Sequence, residues 1–246
     1  MPDQYAKNRS LLSHCRILRY VIVMIAFLLI LIQHGVSQSR LADVDLHRVP
    51  QKKVRRFIHK QIVNKVNDFA DIHPTLIREE EKSKFKVNDQ EFTIRENINR
   101  VWHAYCSASP EIAWNGRMVT FGLLLSKRRH TVAYPHGICP TLDTGQVVYL
   151  NLKLLKGIYN LAVAFEITAI DSLHKMIEFR YVTGDKSQGI QQIRFIKTDD
   201  GYTRIVHHTL FRSKSSLRDK LLYPLFHRKT VSEYHRNILH YLHPAA

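Results

Sequence analysis

Between Leu161 and Arg212 apolar and polar side chains exchange places at nearly every step. Leu161, Val163, Phe165 and Ile167 alternate with Ala162, Ala164, Glu166 and Thr168. Ile177, Phe179 and Tyr181 alternate with Met176, Glu178 and Arg180, and Gln191, Ile193 and Phe195 with Gln192 and Arg194. Successive residues of a strand point to opposite faces, so a period of two restricts this region to strands. The links DSLH (171–174), GDKSQG (184–189) and TDDG (198–201) are short and rich in turn formers. Neighbouring strands are therefore expected to pair antiparallel, with one face buried and the other wet.

Met118–Leu125 and Gln146–Leu154 read as two further strands, separated by a long loop over Arg128–Pro140. Upstream, residues 85–96 have strand character, with Phe92 and Ile94 on one face. Asn97 then serves as an N-cap for a helix whose apolar face is Ile98, Val101, Trp102 and Tyr105. Ser109-Pro110 breaks that helix, and EIAW (111–114) suggests a short second one.

After the strands a long terminal helix is expected from Ser216. Ser216–Asp219 looks like a capping box with Asp in place of Glu, and Leu217, Leu221, Leu225, Tyr234, Ile238 and Leu242 form an apolar stripe. Pro224 should kink or divide it, because proline removes a donor and clashes with the preceding turn. This helix is the only element long enough to cover the sheet. Strands curved around a helix leave an interior space suited to an apolar ligand.

Two segments precede this region. Tyr20–Ile32 is a continuous apolar run behind Lys7, Arg9, Arg16 and Arg19, the layout of a signal peptide. Gly35 and Ser37 suit cleavage after Ser37. The run is short for a span of about 20 residues, yet flanking apolar residues allow an uncleaved single-pass anchor. Residues 1–37 are thus read as a signal peptide or membrane anchor, which makes the chain exported or membrane-associated without fixing its orientation. Residues 38–84 are read as a basic linker, with an amphipathic helix over 50–70 whose stripe is Val54, Phe57, Ile58, Ile62, Val66 and Phe69. Its basic face can meet anionic lipid, or the stripe can dock on the domain and leave the charges solvated. REEEKSK (78–84) marks the expected domain boundary.

The chain has 246 residues, 45% of them hydrophobic, which is enough for a real core. Its 37 Lys and Arg against 21 Asp and Glu favour anionic partners. Nucleic acid is disfavoured, since no helix-turn-helix, aromatic RNP-type signature or zinc finger is present. Cys106 and Cys139 form no CxxC motif and are read as free thiols, with a bridge open if the domain is exported. No HExxH or Cys/His cluster points to a metal, and no cofactor motif is found.

The order of elements resembles the helix-grip fold of the START-like superfamily, also called SRPBCC or polyketide cyclase-like. The stretches that carry the resemblance are FTIRENINRVWHAYCSASPEIAWN (92–115), GDKSQGIQQIRFIKTDDGYTRIVHHTLF (184–211) and the helix Ser216–Leu242. It covers about residues 85–246. It implies an α+β fold, a curved antiparallel sheet of about seven strands around a long C-terminal helix. It also implies a deep apolar cavity for lipids, isoprenoids, plant hormones or polyketides. Some members are cyclases or hydrolases, but no catalytic signature is shared, so none is carried over. The N-terminal segments and the loop at 128–140 depart from the pattern.

Within such a cavity the expected ligand-binding residues are Trp102, Tyr105, Phe165, Phe179 and Tyr181 from the first half. Gln191, Phe195, His207, Thr209 and Phe211 are expected from the second. His207 and His208 point to opposite faces, so only one can be inside: His207 with Ile205, Thr209 and Phe211, or His208 with Arg204, Val206 and Leu210. The inward one is either a satisfied core histidine or a base. Asp199-Asp200-Gly201 reads as a hairpin turn rather than a carboxylate pair. The first expectation is a binding protein for a hydrophobic small molecule. The alternatives are a cyclase- or hydrolase-type enzyme and a basic module for a membrane surface.

Overall fold

The computed structural model describes residues 39–184, 187–213 and 223–244. The apolar run 20–32, the cleavage site expected at Ser37 and the capping sequence 216–219 lie outside the described residues. Among the described residues no helix is long and apolar enough to cross a membrane.

The elements in chain order are α1 (Lys52–Val63), β1 (Lys86–Ile94), α2 (Ile98–Ser107), α3 (Pro110–Ala113), β2 (Val119–Ser126), β3 (Thr131–Ala133), β4 (Gln146–Leu154), β5 (Tyr159–Asp171), β6 (Met176–Tyr181), β7 (Ser187–Lys197), β8 (Thr203–Ser213) and α4 (Tyr223–Leu242). The strands form one antiparallel sheet in the order β1-β8-β7-β6-β5-β4-β2-β3. The sheet has eight strands rather than about seven, because β3 pairs with β2 inside the stretch expected to be loop.

Local chemistry explains the turns. The Asn97 side chain accepts from Asn99 N at the start of α2, and Ser109 caps α3. The DDG turn is a hairpin: Gly201 takes φ +81, a left-handed conformation that costs glycine little, and Gly201 N donates to Thr198 O at 3.0 Å. Asp200 accepts from the Thr198 hydroxyl. It is turn chemistry and not a catalytic carboxylate.

At β2, β4 and β5 the sheet is covered on both sides, against the expectation of one wet face, whereas on β7 and β8 buried residues alternate with exposed or half-buried ones as expected. On the inner face α2, α3 and α4 bury Val101, Tyr105, Trp114, Phe165, Phe179, Phe195, Tyr234 and Ile238. On the outer face the segment 39–72 buries Leu41, Val54, Ile58 and Phe69 against Leu123, Leu125, Val147, Tyr149 and Ala164. Each fully buried side chain of this size contributes roughly 1.5–3 kcal/mol. Residues 38–84 are thus no free linker, and 78–84 is no boundary between compact units: Gln38–Ala246 forms one unit. The stripe of α1 docks on the sheet, leaving Lys52, Lys53, Arg56, His59 and Lys60 exposed. Gly122 permits this, because a Cβ there would lie 2.9 Å from Tyr149 O and 3.1 Å from a Val54 methyl. Lys127 Nζ ties the layers by donating to Glu166 at 2.6 Å and to Ile72 O.

The terminal helix α4 lies over the inner face, and Pro224 stands near the start of its described length rather than kinking its middle. Leu225 is 53% exposed, so it does not belong to the buried stripe. The inward face is instead His227, Thr230, Val231, Tyr234, His235 and Ile238. Cys106 and Cys139 are free thiols, and burial pushes both up to about 11.

Candidate functional site

Between the inner face of the sheet and α4 lies a cavity of about 480 Å³. Beta strands supply most of its wall: Leu150, Leu152 and Leu154 from β4, Leu161, Val163 and Phe165 from β5, Tyr181 from β6, and Ser187 and Gln191 from β7. Helix α4 supplies Tyr223, Phe226, His227, Thr230 and Val231, and Trp114 lines it just after α3. Leu155 and Tyr159 also line the cavity while being 60% and 45% exposed, so it opens to solvent at the β4–β5 turn. The volume falls within the ~300–1,000 Å³ common for small-molecule sites. The β4–β5 side is apolar, and the polar groups gather toward β6, β7 and α4.

That polar side is the end of a buried hydrogen-bonded chain. The Tyr105 hydroxyl meets His235 Nδ1 at 2.5 Å, and His235 Nε2 meets His207 Nδ1 at 3.0 Å. His207 Nε2 meets Gln191 Oε1 at 3.0 Å, and His227 Nε2 reaches the same oxygen at 3.2 Å. Asn88 Nδ2 donates to His227 Nδ1 at 3.1 Å, and Gln191 Nε2 donates to the Tyr181 hydroxyl at 3.2 Å. The Tyr181 and Tyr223 hydroxyls meet at 2.7 Å. Burial holds all three histidines neutral. It pushes His227 and His235 down to about 3 and His207 well below its ordinary value, the last also opposed by His235, His227 and His208. Burial likewise raises the Tyr105 hydroxyl. Two buried atoms beside this chain, Gln90 Nε2 and Thr209 Oγ1, have no partner among the described residues.

Of the ten residues expected to bind ligand, Phe165, Tyr181 and Gln191 line the cavity. The others are brought into the same interior but pack elsewhere. Trp102 and Tyr105 meet Phe195 edge to face at 5.4 and 4.8 Å, filling the far end of the core. Phe179 packs on Phe165 at 4.9 Å. His207 is fully buried behind Gln191, Thr209 is buried beside it on β8, and Phe211 stacks on Tyr223 at 3.7 Å. The register puts Ile205, His207, Thr209 and Phe211 inside, whereas His208 lies on the outer face with its Nδ1 2.6 Å from Asp89. A base role for either residue of the pair therefore lacks access to the cavity. His243 reaches Glu96 at 3.3 Å. Among the described residues no cluster of His, Cys, Asp or Glu is arranged to hold a metal ion.

The lining residues of α4, with Trp114, Leu161 and Val163, were not singled out from the sequence as ligand-binding. A signal existed in Tyr223, His227, Thr230 and Tyr234, which recur at helical spacing, but the face they make is polar.

The sheet order, its curvature around α4 and the cavity between them decide the architecture. The fold is the helix-grip fold. Solved structures of similar form include norcoclaurine synthase from Thalictrum flavum in complex with dopamine and hydroxybenzaldehyde, at 13% identity, covering 70% of this chain and 96% of that one with a TM-score of 0.48. The Zhui aromatase/cyclase from Streptomyces sp. R1128 shares 10% identity over 64% of this chain and 93% of its own, with a TM-score of 0.48. Major latex-like protein 151 from Panax ginseng shares 12% identity over 65% and 99%, with a TM-score of 0.47. Similarity at this level transfers no activity to the helix-grip chain. No family model matches the sequence, and comparison with curated proteins gives no match.

Proposed function

We propose that the protein binds a hydrophobic small molecule, of the size of a lipid fragment or isoprenoid, between the sheet and α4. The observation that carries this reading is the cavity of about 480 Å³ whose β4–β5 wall is leucine, valine and phenylalanine. Apolar surface removed from water there stabilises a complex by roughly 25 cal/mol per Å². The test uses the full chain, purified gently, with native mass spectrometry and a panel of fluorescent apolar probes. Saturable binding at one site is expected, and Leu161→Trp, which fills the space, should abolish it without lowering the melting temperature. Probe binding unchanged by that substitution would overturn the reading.

A membrane-tethered or exported location belongs to the same proposal and is supported by the sequence alone, through the run Tyr20–Ile32 behind four basic residues. Fractionation and N-terminal sequencing of the mature protein test it. Recovery in the soluble fraction of the producing cell with residues 1–37 intact would remove it.

A further inference from the structure

The direction of the buried hydrogen-bonded chain follows from one hydrogen. Tyr105 is 2% exposed, and its hydroxyl has one acceptor in reach among the described residues, Nδ1 of His235. A buried O–H left unpaired costs about 1–3 kcal/mol, so this bond is made. A neutral imidazole carries one hydrogen and one lone pair, so each ring passes the direction on. His235 accepts at Nδ1 and donates from Nε2 to His207 Nδ1; His207 donates from Nε2 to Gln191 Oε1. His227 accepts at Nδ1 from Asn88 and donates from Nε2 to the same oxygen. Both lone-pair directions of the Gln191 carbonyl are then filled from the histidine side.

The Gln191 amide is consequently fixed with its NH2 group away from the histidines. One N–H goes to the Tyr181 hydroxyl. The second has no partner among the described residues, although Gln191 is 5% exposed and lines the cavity. Among the described lining residues none is Lys, Arg, Asp or Glu. Against the described lining an ionised ligand head group would thus be desolvated with no counter-charge, at a cost of several kcal/mol.

We propose that the cavity selects an uncharged, mainly apolar molecule bearing a carbonyl oxygen, which accepts the second amide hydrogen of Gln191. This rests on the small-molecule reading above and specifies its ligand class. The relay behind Gln191 makes it a positioned donor: rotating the amide to offer its oxygen to the ligand would set its NH2 against two imidazole N–H groups.

The test uses three rigid probes of nearly one shape with the full chain at pH 7.5: 9-fluorenone, fluorene and fluorene-9-carboxylic acid. Fluorenone is expected to bind about tenfold tighter than fluorene, the scale of one neutral hydrogen bond, and the ionised acid weakest. The carbonyl stretch of bound fluorenone should shift to lower frequency, a measurement that needs no variant. In Gln191→Leu the preference should collapse toward one while fluorene still binds, and the carbonyl shift should disappear. Equal binding of ketone and hydrocarbon by the natural chain, strongest binding of the acid, or a ketone preference that survives Gln191→Leu would each overturn the inference while leaving the cavity reading intact. Binding of none of the three overturns both.

Discussion

The Glu233 carboxylate occupies the space that a side chain at residue 116 would need. A Cβ added to Gly116 would lie 2.3 Å from Glu233 Cδ, and the two carboxylate oxygens accept from Arg117 N, Met118 N and Val119 N at 2.6, 2.8 and 3.2 Å. One helical side chain thus clasps the loop that enters β2 and holds α4 across the sheet. Asn237, one turn on, donates to Ala113 O and Asn115 O. Glu233→Ala strands the three amides and should cost about 3 kcal/mol in urea unfolding. Gly116→Ala should be destabilising as well, and the double variant less than additive, because each substitution breaks the same clasp. Additive losses would show that the two positions act separately.

Tyr105→Phe removes one oxygen and leaves His235 Nδ1 buried without its donor. The aromatic packing on Phe195 stays, so the loss isolates the hydrogen bond. We expect about 1–3 kcal/mol, or a melting temperature lower by several degrees for a domain of this size. Nitrogen NMR of the imidazoles should show His207 and His235 no longer held in one tautomer. A melting temperature equal to that of the natural chain would mean the phenol does not anchor the relay.

The strands were legible because a period of two is a geometric consequence of the backbone; that period divided β8 into two faces, and only the folded register showed that Ile205, His207, Thr209 and Phe211 are the inner one. Three features were hidden for separate reasons. Thr131–Ala133 is too short to show a period, so β3 reads as loop. Docking of the stripe of α1 was one of the two readings of 50–70, but the face it covers was hidden because Ala162 and Ala164 look like the small residues of a wet face, although VTFGLLLS in β2 is apolar on both faces, the mark of double burial. The lining of α4 was hidden because hydrophobicity alone picked Leu225, while the helix turns Tyr223, His227 and Thr230 toward the cavity. A face that bounds a polar-ended cavity does not look like a core face. The folded partners of Gln191, which decide what it offers, come from β6, β8 and α4, with Asn88 of β1 behind His227, and leave no local trace.

Gly122→Leu tests the outer layer. The Cβ of residue 122 would press on Tyr149 O, a backbone atom, and on both Val54 methyls. Overpacking of this kind costs about 1–3 kcal/mol, and here it is concentrated on the docking of α1. Limited trypsin digestion should therefore cut first within 52–65, with the helix-grip core surviving. Uniform resistance to trypsin would show that α1 docks without needing this glycine.

The three buried histidines set the acid limit of the fold. Burial lowers His227 and His235 to about 3 and moves His207 in the same direction, whereas each takes up a proton near 6.5 once unfolded. Below about pH 6.5 the unfolded chain therefore binds more protons than the native one, and stability falls as pH falls, continuing for His227 and His235 until they protonate in the folded chain near pH 3. His227 and His235 each contribute up to about 1.4 kcal/mol per pH unit, so roughly 2 kcal/mol for each of these two rings is lost between pH 6.5 and 5. Losses on this scale are a large share of the 5–15 kcal/mol that holds a typical domain, and His207 adds to them in the same direction. Among the described residues no carboxylate bonds to these rings; Glu233 on the same helix is engaged by the loop amides instead. Urea unfolding at pH 7.5, 6 and 5 should show midpoints dropping steeply through a window above the ordinary carboxylate range. His208→Asn, on the outer face, should leave that profile in place, and His235→Gln should flatten it by about one proton. A midpoint that holds steady from pH 7.5 to 5 would mean that the rings are charged or solvated in the native protein, and the neutral relay behind Gln191 would fall with it.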